Sequence, residues 1–133
     1  MKQCCYLVLW LAAFAQQLYA GEPVLSALDV VNKRMDAYNQ HDLKVFLDQY
    51  SDNVQIYTYP DKSLARGKAH LQSIFEPMFA EGNVTVKIHQ QIERDSYVIN
   101  QETVIYAGKK TEYVSIYKVV DGLITEVRFV RDR

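Results

Sequence analysis

Glu102 stands in a run whose alternate residues are Val98, Asn100, Val104 and Tyr106. In a strand these five share one face. If that face is internal, Glu102 is placed as a general base for a substrate proton. If it is external, Glu102 is a solvated or cross-strand-paired side chain. The second candidate base is His70, one residue before Leu71 near the start of a helical segment. It serves as a base if it points into a cavity mouth, and as a partly buried structural histidine otherwise. His41 reads as a capping or surface residue in a turn, and His89 shares a solvent face with Lys87 and Gln91. No two histidines have metal-ligand spacing and no Asp/His cluster supports a metal, so neither a metal nor a cofactor is expected.

Tyrosine is the unusual component. Ten are present, eight of them after residue 20. Each offers a large apolar body and one polar tip, which suits a flat, mostly apolar ligand with one or two oxygens. Strands favour tyrosine for packing reasons as well. The ligand-lining candidates are Tyr38, Tyr57, Tyr59, Tyr106 and Tyr117, with Phe75 as an apolar wall and Arg34 as the cation. Arg34 lies three residues after Val31 and four before Tyr38, at the border of an apolar helix face. Inside a pocket it binds a carboxylate or phenolate; at the rim it pairs with Asp36, Glu76 or water.

Several classes are excluded. There is no G-x-S-x-G, no phosphate-cradling glycine loop and no dinucleotide fingerprint. Fifteen basic and sixteen acidic residues give a net charge of −1, so no basic excess points to nucleic acid. Of the 133 residues 49% are hydrophobic and 23% charged, which suits one globular domain.

The elements that must position these side chains follow from periodicity. Leu28, Val31, Met35 and Tyr38 form one face of a helix over residues 25–39, started by Ser26 or the Glu22-Pro23 turn. Asp42 caps a short second helix with Leu43, Phe46, Leu47 and Tyr50 as its stripe, ended by Ser51-Asp52-Asn53. Residues 54–59 read as a strand and 63–65 as its short partner. A third helix covers about 68–80, with a kink or an early stop near Glu76 because Pro77 sits inside it. Alternating runs then begin at Val84, Tyr97, Thr111 and Leu123, separated by Asp95-Ser96, Ala107-Gly108-Lys109 and Asp121-Gly122. Asp121-Gly122 is a strong hairpin signal, since both residues tolerate positive φ. The expected fold class is α+β, three N-terminal helices on an antiparallel sheet. The expected core includes Leu28, Val31, Met35, Phe46, Leu47, Ile56, Leu71, Phe75, Val86, Ile88, Val104, Ile116 and Val127.

The phrase AYNQHDLKVFLDQYSDNVQIY, with Val30-Val31 before it and Arg66-Gly67-Lys68 after it, resembles the opening of the SnoaL-like branch of the nuclear transport factor 2-like superfamily. The resemblance spans about residues 24–131. It implies a strongly curved sheet wrapped round the helices into a cone, an apolar pocket, and dimerisation through the sheet. It also implies a function among ketosteroid isomerases, polyketide cyclases, dehydratases and non-catalytic binding domains. In the isomerases the base is an aspartate on the first strand, just before a proline. Here Tyr57-Thr58-Tyr59-Pro60 holds no carboxylate, which argues against a standard ketosteroid isomerase. The isomerases' oxygen-binding tyrosine falls near Arg34, and their neutral aspartate near Tyr117. The Asp-His-Glu run of SnoaL-type relatives corresponds to Asn100-Gln101-Glu102, where only Glu102 can take a proton.

Residues 1–20 read as a secretory signal: Lys2, an apolar run from Cys4 to Ala15, then small residues at Ala15 and Ala20, with cleavage after Ala20 favoured. The remaining domain, 24–133, is expected to be secreted or periplasmic, without a membrane segment. Both cysteines lie in the leader, so the exported domain is held by its core alone. Asn83-Val84-Thr85 fits a glycosylation sequon. The functional expectation is an exported protein that binds a small hydrophobic molecule, with cofactor-free isomerase, cyclase or dehydratase chemistry through Glu102 or His70, or else a non-catalytic binding or dimerisation module. The partners expected are that small molecule and a second copy of the chain.

Overall fold

The computed structural model describes residues 25–131. The signal reading, both cysteines and the cleavage sites lie outside them. Helix α1 spans Ala27–Gln40, α2 Leu43–Asp48, strand β1 Tyr50–Thr58, β2 Lys62–Arg66, α3 Lys68–Glu81, β3 Val84–Arg94, β4 Tyr97–Tyr106, β5 Lys109–Val120 and β6 Leu123–Val130.

Local chemistry explains the ends. Ser26 Oγ accepts the Asp29 amide while the Asp29 carboxylate accepts the Ser26 amide, a reciprocal capping box. Asp42 accepts the Val45 amide at 3.1 Å and starts α2. Asp121 and Gly122 both take positive φ, 52° and 76°, closing the β5–β6 hairpin. Helix α3 runs through Pro77 to Glu81, so of the kink or early stop expected near Glu76 the early stop does not occur. Its inner residues Phe75 and Phe79 pack against Tyr38 and Phe46, with ring centroids 4.7–6.1 Å apart, and this packing holds the last turn. The stripe of α2 ends sooner than expected. Tyr50 pairs with Ile124 and opens β1, four residues before the strand start read from periodicity.

The six strands form one sheet in the order β2-β1-β6-β5-β4-β3. Strands β3 to β6 are the expected antiparallel meander. The sheet is not wholly antiparallel, because β1 joins β6 in parallel. That contact closes the sheet across the helices, and β1 and β2 lie between α2 and α3 in the chain, so the helices are not all N-terminal to the strands. Register shifts at Ile56/Tyr57, Ile88/Gln90 and Lys118/Val119 add local bends, and the curved sheet wraps the helices as a cone.

The core lies between α1–α3 and the inner sheet face, around Val30, Val31, Phe46, Tyr50, Leu71, Val98, Ile124 and Val127. Of the expected core, Leu28, Phe75, Ile88 and Val104 are half-buried against this cluster. Ile116 is half-buried on the opposite, outer face, opposite Ile99 and Arg128.

Candidate functional site

One end of the cone stays open. A cavity of about 410 Å³ enters between α3, β2 and the ends of β4, β5 and β6. This is within the usual size of a small-molecule site, about 300–1,000 Å³. Leu64, Phe75, Met78, Val84, Val104 and Phe129 form its apolar walls. Its deep polar groups are Arg34 and Glu102, exposed by only 3% and 2%.

Alternation places Glu102. Val98, Asn100 and Glu102 are all buried on the inner face of β4, as the internal reading required. Ser115 on β5 donates its hydroxyl to Glu102 Oε1 at 2.7 Å. Asn100 Nδ2 faces Oε2 at 3.4 Å, and Asn100 Oδ1 accepts from Gln91 Nε2 at 3.0 Å. Gln91 also donates to Asn32 Oδ1 at 2.8 Å. A relay of fixed amides thus runs from α1 across β3 to the carboxylate and orients it.

Arg34 is inside the cone, not at the rim. Its Nε donates to Tyr50 Oη at 2.8 Å. The guanidinium carbon lies 5.0, 4.9 and 5.5 Å from the ring centroids of Tyr38, Phe46 and Tyr117, a cage of aromatic faces. Burial works against its charge, but Tyr117, Tyr50 and Glu102 more than offset this and raise its pKa. Burial pushes the Tyr38 phenol up to about 12, although Arg34 pulls the other way. Burial likewise raises Tyr50 and, more strongly, Tyr117. These three phenols therefore stay neutral at physiological pH and do not supply the anion for Arg34. Glu102 is the buried carboxylate that acts on it, yet the two do not form an ion pair among the described residues. The Tyr117 hydroxyl is buried without a hydrogen-bond partner in the same cluster.

The other sequence candidates divide cleanly. Tyr38, Phe75 and Tyr106 line the cavity, and Tyr106 Oη donates to Glu81 Oε2 at 3.0 Å. Tyr117 is buried beneath it. Tyr57 and Tyr59 are not part of it. On β1 the inward set is Val54, Ile56 and Thr58, so Tyr57 and Tyr59 face outward, Tyr57 beneath Arg128 and Tyr59 exposed. Thr58, not Tyr59, is the β1 residue at the cavity. His70 is exposed and outside the lining, and its Nδ1 accepts the Arg66 amide at 3.2 Å. Its neighbour Leu71 takes the inward position, and one residue turns a helix by about 100°. His41 caps α1 and bonds the Val84 carbonyl. His89 bonds Thr103 on the exposed side.

Sequence reasoning passed over Ser115, Asn100 and Tyr50 as supports. It also passed over Lys109, Thr111, Tyr113 and Arg131 at the mouth. The pattern held a signal for most of them: Lys109, Thr111, Tyr113, Ser115 and Tyr117 alternate on β5 and share its inner face. Among the described residues, no group of three or more His, Asp or Glu could hold a metal ion. No helix among them is long and apolar enough to cross a membrane.

The family model for the SnoaL-like domain matches residues 31–127. The chain belongs to the SnoaL-like family. No curated protein matches it in sequence. Among solved structures it is similar to an NTF2-like protein of unknown function from Cytophaga hutchinsonii, at 17% identity and TM-score 0.73, covering 84% of this chain and 95% of that one. It is similar to an LEH-like epoxide hydrolase from M. tuberculosis, at 20% identity and TM-score 0.66, covering 80% and 82%. A computationally designed 17-OHP binder matches at 18% identity and TM-score 0.70, covering 80% and 90%. At these identities the likenesses establish the shared SnoaL-like fold alone.

Proposed function

We propose that this SnoaL-like protein takes a small, mostly apolar molecule into its cone and moves a proton on it with Glu102, without a cofactor. The observation that carries this reading is the pair Arg34 and Glu102: both are buried, both reach the same apolar-walled cavity, and they do not bond to each other. Burying a charge away from water is costly unless it is compensated. A structural ion pair would close on itself, whereas this one is held apart, by Tyr50 on one side and Ser115 on the other.

The geometry suits a carbonyl compound. Glu102 accepts the proton from the carbon next to the carbonyl, and the electron pair moves into an enolate. The enolate oxygen is stabilised by the guanidinium of Arg34, a fixed cation in a low-dielectric site. Return of the proton to the same carbon gives exchange, and to another carbon gives isomerisation. The experiment is deuterium exchange at the α-carbon of small apolar ketones in D₂O, followed by NMR. Exchange catalysed by the protein and lost in Glu102→Gln supports the reading; exchange that persists in Glu102→Gln contradicts it.

The second reading is a binding module without turnover. Thr58 at the β1 position and the amides of Asn100 and Gln101 favour it, and a computationally designed 17-OHP binder shares the fold. Ligand-dependent thermal stabilisation with no exchange on any substrate would establish it.

Two further parts of the reading rest on other observations. Export to the periplasm or exterior rests on the apolar run and small residues of segment 1–20. A homodimer rests on the outer sheet face. There Ile92, 61% exposed, lies beside Ile99, and Val114 lies beside Val130. Exposed apolar area of this kind marks an interaction site. Light scattering is expected to give the mass of two chains, and of one for Val114→Lys.

A further inference from the structure

The charges around the cavity do not balance, and their positions specify a ligand. Three cations (Arg34, Lys109 and Arg131) line it against one carboxylate, Glu102. At the floor, Arg34 and Glu102 offset each other. At the mouth, Lys109 and Arg131 are exposed, and Glu102, two strands from Arg131, is the one carboxylate that lines the cavity. The acids nearby are engaged elsewhere or face away. Glu81 accepts from Tyr106 Oη, and Glu112 lies on the outer side of β5, where it lines a second, smaller pocket that Arg131 also borders. Neither forms an ion pair with Lys109 or Arg131 among the described residues.

Register shows that the two cations belong to one rim. Lys109, Thr111 and Tyr113 follow one another on the inner face of β5. Val130 pairs with Val114, which puts Arg131 next to Tyr113 across the β5–β6 ladder. At about 3.3 Å per residue, Lys109 and Arg131 are about 13 Å apart along the strands. Two long side chains span that gap. Between rim and floor the walls are apolar: Met78, Val84, Val104 and Phe129.

We infer that the ligand is an amphiphilic anion, with a carboxylate or similar oxyanion held at the mouth between Lys109 and Arg131, an apolar body in the cone, and an uncharged polar end at Arg34 and Glu102. The inference rests on the cavity reading proposed above and adds the ligand's charge and its orientation. An anion at the floor would meet Glu102 as well as Arg34 in a low dielectric, whereas the groups that line the cavity around Lys109 are uncharged. A neutral ligand would use the walls and leave the rim charges idle. The cationic rim also draws anions toward the entrance before contact.

The test compares two fluorescent probes that share an apolar body. 8-Anilinonaphthalene-1-sulfonate carries an anion, and N-phenyl-1-naphthylamine does not. Each is titrated into the wild-type protein, the double variant Lys109→Glu/Arg131→Glu, and Leu64→Trp, which fills the entrance from the β2 side. The sulfonate is expected to bind at least about tenfold more tightly than the neutral probe, a difference of about 1.4 kcal/mol. Charge reversal is expected to abolish that preference, the sulfonate losing at least about tenfold more affinity than the neutral probe, and Leu64→Trp to weaken both probes. Equal affinity for the two probes, or a preference that survives charge reversal, overturns the inference. In that case loss of neutral-probe binding in Leu64→Trp still upholds the cavity. If neither probe binds, or Leu64→Trp displaces neither, both the inference and the cavity reading fall.

Discussion

Glu102→Gln is expected to lower turnover on a small apolar ketone by about 10²–10⁴-fold, the usual contribution of a positioned general base. The amide keeps the shape of the carboxylate and an acceptor for the Ser115 hydroxyl, which now lies 2.7 Å from Oε1. It cannot accept the substrate proton. The substitution also removes the buried carboxylate that acts on Arg34, so anion affinity at the floor should rise while turnover falls. A purely structural role for Glu102 would give the opposite split, with stability lowered and turnover per folded molecule retained. Exchange rates normalised to folded protein separate the two.

Phe46→Ala is expected to cost about 3–5 kcal/mol of stability, the usual range for removing a buried aromatic ring. Phe46 is fully buried. Its ring stands 4.7–6.2 Å from those of Tyr38, Tyr50, Phe75 and Phe79, joining α1, α2, α3 and β1 at one point. It is also one of the three faces around Arg34. The loss is a large share of the total stability of an ordinary domain, about 5–15 kcal/mol. Urea unfolding should show a lower midpoint at an unchanged slope. A loss below about 1 kcal/mol would mean that the aromatic cluster repacks and does not hold the helices together.

Much of this arrangement is legible in the residues themselves. Ser26, Asp42 and Asp121-Gly122 mark element ends by local hydrogen bonding and φ preference, which need no tertiary information. Alternation on β4 ties Glu102 to buried Val98 and Asn100 because side chains change face at every residue. The parallel pairing of β1 with β6 is not legible, since it joins residues about seventy positions apart in the chain. Tyr50 misleads for a related reason: it extends the apolar stripe of α2, yet its backbone is claimed by Ile124. Pro77 breaks a local rule that the packing of Phe75 and Phe79 overrides. The outward direction of Tyr57 and Tyr59 could have been read from Val54 and Ile56, the alternating apolar residues that precede them. The role of Arg131 could not, because it lies just past the end of β6, where only the closed cone shows what it faces.

The central claim is that the cone holds an open lumen in which a small molecule meets Arg34 and Glu102. Two methionines report on it: Met78 lines the cavity, and Met35 Sδ lies 3.2 Å from Arg34 Nη1. Methyl spectra of ¹³C-methionine-labelled protein titrated with N-phenyl-1-naphthylamine are expected to shift Met78 most and Met35 less, with saturation at one ligand per chain. Saturable binding that leaves both methyl signals in place would put the ligand outside the cone and contradict the account.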